Sequence, residues 1–177
     1  MTRHALVRDG KIEEFRDYAP SVDQSKLAAG KPRMLPVVVE NDVFDPVTQV
    51  REGPELVVEA ARVVERFTVR AKTADEIEAM RLSKISKIKA IAERKILAIM
   101  PDHKQRNALA LGIEMVATHG SDPAGWPADM RAVHSALMGQ WASIKAIRAA
   151  SNTKEAEVAA LKTASAVHGY DVTMGWP

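Results

Sequence analysis

At 177 residues, with 46% apolar and 27% charged residues, the chain is long enough for one domain or two small ones and too apolar for wholesale disorder. Its lack of cysteine excludes disulfides, Cys-based zinc sites and a thiol nucleophile, and no apolar stretch reaches the ~18 residues of a membrane span. The net charge of +2 is unevenly placed: residues 1–72 carry 12 basic and 12 acidic groups, 73–107 carry 8 and 5, and 108–177 carry 5 and 6. The start, Met1-Thr2-Arg3-His4 followed by Ala5 to Val7 and Arg8-Asp9-Gly10, does not read as a signal peptide, so synthesis in the cytoplasm is expected.

The apolar rhythm changes once, at Thr73. Before it, short β-like runs are cut by Pro and Gly; after it, apolar residues recur at helical spacing. The expected fold class is α+β: a small antiparallel β module of hairpins over 1–72, a long connecting helix over 73–100, and a helical bundle with a short tail over 101–177.

In chain order, Ala5 to Arg8 and Ile12 to Phe15 flank Asp9-Gly10, a pair that tolerates positive φ and predicts a tight hairpin. Tyr18 to Pro32 reads as loop, with at most one helical turn around Asp23 to Ala28. Met34 to Glu40 is β-branched, but Pro36 lacks a ladder donor, which predicts a sheet edge or a strand start. Asn41 to Pro46 predicts a turn. Glu55 to Glu59 and Val63 to Arg70 predict a second hairpin through Ala60-Ala61-Arg62, with Val63, Phe67 and Val69 on one side of the later strand and Val64, Arg66, Thr68 and Arg70 on the other. A helix from Pro54 through Phe67 is the alternative.

Thr73-Ala74-Asp75-Glu76 has capping-box spacing and predicts a helix ending near Met100, because Pro101 disfavours continuation. Leu82, Ile85, Ala92, Ile96 and Ile99 form one apolar seam on it, with Ile77, Ile88 and Ile91 beside it. Of these, Leu82, Ile85, Ile96 and Ile99 are the candidate oligomer seam; an intramolecular bundle core is the plainer reading. Pro101-Asp102 predicts a second helix stopped by Gly120, its apolar face given by Leu109, Ile113 and Val116. A third helix is expected from about Ala128 to Ala149 on Met130, Val133, Leu137, Trp141, Ile144 and Arg148. Asn152-Thr153-Lys154-Glu155 then predicts a fourth, ended by Gly169. In the tail, Trp176 is expected to pack. Gly112 and Gly139, inside predicted helices, suggest close helix approach.

His4, His103, His119, His134 and His168 are scattered at no metal-binding spacing, and no phosphate loop, nucleophile elbow or calcium loop is present. Ser135, His119 and Asp122 could form a triad only by folding, and nothing recommends it. No catalytic residue, metal or cofactor is therefore assigned. Arg81, Lys84, Lys87, Lys89, Arg94 and Lys95 could attract a polyanion; a solvated helix face is the plainer reading. Lys104, Gln105, Arg106 and Asn107 stand at a helix start, where long polar side chains bind a partner's polar groups or pin neighbouring helices.

Two segments carry a resemblance. Pro101 to Asn107 (Pro-x-x-Lys-Gln-x-Asn) and Trp141 to Asn152 (Trp-x-x-Ile-x-x-Ile-Arg-x-x-Ser-Asn) are similar to a helical domain that ends many small bacteriophage and prophage tail proteins. The Arg-Asp-Gly-Lys hairpin and the stretch Phe44 to Gln49 leading to Glu52-Gly53-Pro54 resemble phage proteins encoded near tail-fibre genes. The resemblance implies a non-enzymatic virion protein, a fibre-associated or adaptor subunit assembled in the host cytoplasm and located in the tail. Its partners would be other tail proteins and copies of itself, a trimer first, with no small-molecule substrate and no membrane. Lys104, Gln105, Arg106, Asn107, Trp141, Arg148 and Asn152 are the candidate interaction or helix-pinning residues. A tail-fibre assembly chaperone and a nucleic-acid-binding protein are the alternatives.

Overall fold

The computed structural model describes residues 3–22, 24, 27–28, 30–40 and 43–177. Two compact units divide the chain, Met1–Lys72 and Thr73–Pro177. The first is a five-stranded sheet; the second is helical.

Strands β1 (His4–Arg8) and β2 (Lys11–Arg16) form the expected hairpin. Asp9 and Gly10 both adopt positive φ, 47° and 77°, the conformation that matches a two-residue turn to the strands' right-handed twist. Strands β3 (Arg33–Glu40), β4 (Gln49–Val58) and β5 (Val63–Ala71) complete the sheet in the order β2-β1-β3-β5-β4. The β4–β5 hairpin turns through Ala60 and Ala61, where Glu59 N donates to Arg62 O. No helix spans Pro54 to Phe67. Instead β4 begins six residues earlier than Glu55 and accommodates Gly53 and Pro54 in a register shift between Glu52 and Glu55. Gly53 has φ 112°, and a Cβ there would stand 3.2 Å from Arg66 O, so the irregularity needs glycine.

Two expectations for the sheet are corrected. β3 is the central strand, and its pairing with β5 is parallel. Arg33 to Pro36 pair with β1, whereas Val37 to Glu40 pair with β5. Val37 N donates to Arg3 O on the β1 side, so the Pro36 nitrogen faces the β5 side one residue before that pairing begins. The missing donor forfeits no ladder bond, which is why proline is tolerated in mid-sheet. On the same side, Met34 N is satisfied by Gln24 Oε1 at 2.6 Å. The expected turns at Asp23 to Ala28 and Asn41 to Pro46 lie partly outside the described residues; Asp45 is described, and its carboxylate accepts from Val47 N and Thr48 Oγ1. Ala5, Val7, Leu35 and Val63 form the buried core, with Ile12, Phe15, Val37 and Val58 against it.

In the second unit, α1 (Ala74–Ile99) starts on the expected capping box: Glu76 N donates to Thr73 Oγ1 and Thr73 N to Glu76 Oε2. α2 (Asp102–His119) ends at Gly120, whose φ is 78°. After a 3-10 turn at Pro123–Gly125 comes α3 (Ala128–Ala160), then α4 (Ala164–Gly169) capped by Thr163. The expected helix break at Ala149 is absent. Ile144, Ile147, Ser151, Lys154 and Val158 are buried at steps of three and four, one continuous stripe that no Pro or Gly interrupts. Glu155 accepts from Ser151 Oγ at 2.9 Å and makes no cap with Asn152. The helix starting at Thr163 takes the place of the one expected from Asn152.

Candidate functional site

α3 is about 50 Å long, and its two halves have different neighbours. Along its C-terminal half lie α1 and, after the chain turns at Leu161, α4 packed on α1. Ile88 and Ala92 of α1, Ile144, Ile147 and Val158 of α3, and Ala164 and Val167 of α4 are all buried. This interior also uses polar groups. Arg81 donates to Leu161 O, and Lys84 Nζ donates to His168 O and Tyr170 O, carbonyls left open where helices end. Lys154 is buried, with Nζ 5.9 Å and 5.6 Å from the Tyr170 and Trp176 ring centroids. Trp176 packs as expected, donating to Val172 O. Burial and the Glu157 carboxylate, which accepts from Tyr170 Oη at 2.5 Å, push the Tyr170 phenol up to about 12.

These placements change the basic face expected on α1. Arg81 and Lys84 are turned to the protein's own carbonyls, Lys95 Nζ reaches Pro177 O at 3.4 Å, and Lys89 stands 3.5 Å from Glu155. The signal was present in the spacing: Ile77, Arg81, Lys84, Ile88, Ala92 and Lys95 follow one stripe, so the polar members fall on the packed side. On the candidate seam, Leu82 is exposed while Ile85, Ile96 and Ile99 are half-buried. The buried centre runs instead through Ile88 and Ala92.

Six of the seven motif residues divide among three grooves. Gln105, Arg148 and Asn152 meet in a polar groove of about 410 Å³ with Lys89, Asp102 and Ser151. Gln105 acts as a pin: its Nε2 donates to Met100 O at 2.7 Å, satisfying a carbonyl left open where α1 stops. Arg148 and Asn152 are exposed. Lys104 and Asn107 lie apart, beside a smaller groove with Leu111 and Val133, and Arg106 is exposed on α2. The seven residues thus form no single site. The triad candidates also stay apart: Asp122 Oδ1 accepts from Ala124 N, and no hydrogen bond joins it to His119 or Ser135. Among the described residues, no group of three His, Asp or Glu side chains could hold a metal ion.

Trp141 belongs to the third and largest groove, about 650 Å³, between α2 and the N-terminal half of α3. Leu109, Gly112, Ile113 and Val116 line it from α2; Leu137, Met138 and Trp141 line it from α3. Trp126 closes one end, its indole N–H donating to Gly120 O and its ring set edge-on to His134 at 5.2 Å. The lining holds no Asp, Glu, Lys or Arg. The apolar face expected on α2 is real but uncovered: Leu109, Ile113 and Val116 are 65%, 64% and 48% exposed, and Met138 is 47% exposed. Only Met115 of α2 is buried. Gly112 and Gly139, expected at close helix contacts, have no other atom within 4 Å of where a Cβ would be.

Neither a family model nor any curated protein or solved structure matches the chain.

Proposed function

We propose that this protein is a non-enzymatic contact subunit of a bacteriophage tail, fibre-associated or adaptor in kind, that joins tail proteins and associates with itself through its helical unit. The observation that carries this reading is the apolar groove between α2 and α3, whose large side chains are left exposed by the helical unit. Contiguous apolar surface of this kind marks a contact site. The tail setting rests on the resemblance of Pro101 to Asn107 and Trp141 to Asn152. Gln105, which fastens the α1–α2 junction, is a helix-pinning member of that motif.

A tail-fibre assembly chaperone is the second reading, favoured by the same groove, which would hold an apolar segment of an unfinished fibre chain. Quantitative mass spectrometry of purified particles separates the two. A structural subunit is present at a fixed ratio to the other tail proteins. Absence from finished particles, with presence in lysates of infected cells, would transfer the function to assembly.

A further inference from the structure

We infer that the groove between α2 and α3 is covered by the same groove of a second copy, the two hairpins running in opposite directions to close a four-helix bundle around a two-fold axis. The inference rests on the reading of this chain as a contact protein and adds the occupant of this groove.

Three observations support it. First, two helices cannot enclose a core by themselves, and α2 packs chiefly on α3, whereas α1 packs on both α3 and α4. Second, two such faces together clear the ~1,000 Å² of total buried area that separates a biological interface from a chance contact. α2 has 18 residues, so the hairpin face is about 27 Å long and about 20 Å wide, or roughly 540 Å² when flat. Side-chain relief enlarges this toward the ~800 Å² that each partner buries in a standard interface. An isologous pair needs one patch that is complementary to itself, and a lining without formal charge meets its own copy with no like-charge contact.

Third, the charges at the two ends select the direction. Asp102, Lys104, Arg106, Lys145 and Arg148 leave three net positive charges at the Pro101 end; Asp122, Asp129 and Arg131 leave one net negative charge at the Gly120 end. Opposed hairpins set these ends together across a distance comparable to the Debye length of about 10 Å. Hairpins running the same way, as around a threefold fibre axis, would set like charges together. Opposed hairpins also give every helix an antiparallel neighbour. Two copies, not the three implied by the resemblance, follow from this geometry.

The absence of native cysteine makes the test direct. Gly112 lies near the middle of α2 on the groove side, and an added Cβ there meets nothing within 4 Å. In the opposed arrangement the two Gly112 positions face each other near the axis. The full chain with Gly112→Cys is expected to oxidise to a disulfide-linked pair, while Ala132→Cys, outside the groove lining, stays unlinked. Light scattering of the unmodified chain is expected to give twice the 19.4 kDa chain mass, falling to one chain in Ile113→Glu. Circular dichroism checks that the Ile113→Glu variant is folded; should it not be, the cysteine pair alone decides. A monomer at high protein concentration, a trimer, or a dimer that Gly112→Cys does not link would overturn the inference. Loss of the chain from finished particles would remove the tail-subunit reading and leave the dimer standing.

Discussion

The two halves of α3 share one helix and one amphipathic rhythm yet end in opposite states. In the C-terminal half, Ile144, Ile147 and Val158 are buried where α3 packs on α1, and Lys154 is buried with them. In the N-terminal half the partner helix α2 meets α3 at few points and leaves Leu109, Ile113 and Met138 in solvent. The difference teaches that helical spacing reports which face is apolar and says nothing about whether the same chain covers it. One half is buried within the unit and the other leaves its apolar face exposed.

Substitution should separate the halves most strongly at their apolar centres. Ile144→Ala removes fully buried atoms and is expected to cost about 2–5 kcal/mol, read as a fall in urea midpoint at every protein concentration. Leu109→Ala, at a 65% exposed position, is expected to change the dilute protein by less than about 0.5 kcal/mol and to matter only as concentration rises. Equal losses at both positions would erase the distinction. Smaller changes are expected from the helix signals. Thr73→Ala deletes the hydroxyl that accepts from Glu76 N and should lower stability by about 1 kcal/mol. Gly139→Ala should raise it by about 0.5–1 kcal/mol, since nothing stands where its Cβ would go; a loss there would show a neighbour that the single chain lacks.

A pH-dependent effect is expected at high pH in the sealed half. The folded protein holds the Tyr170 proton up to about 12, against an ordinary value of 10.0, so between these values the folded state binds more proton than the unfolded one. Its contribution is complete below pH 10 and fades as pH rises through about 12. Phenolate absorbance should show one late-titrating tyrosine, absent in Tyr170→Phe. Early titration of both tyrosines would mean that the Glu157 contact is not held in solution.

Much of this architecture was legible in local chemistry. Asp9-Gly10, Thr73 with Glu76, Pro101 and Gly120 each act through their own backbone, so residue type and spacing located them. What was not legible depended on competition between distant residues. Asn152 with Glu155 matches a helix start, yet the buried stripe through Ser151 and Val158 carried α3 straight through. Pro36 was read as an edge signal because a sequence does not show where a strand changes neighbours. The motif Lys104 to Asn107 was correctly placed at a helix start, but its alternating side chains send Gln105 to one groove and Lys104 and Asn107 to another.

That change of neighbours at Pro36 makes β3 the strand that joins the two flanks of the sheet. β3 is held by β1 over its first half and by β5 over its second, and Val37, which pairs with Val63 and donates to Arg3 O, is held on both sides. The proline, having no amide proton to exchange, is a silent marker at that hand-over, while the shared core of Ala5, Val7, Leu35 and Val63 ties the two flanks together.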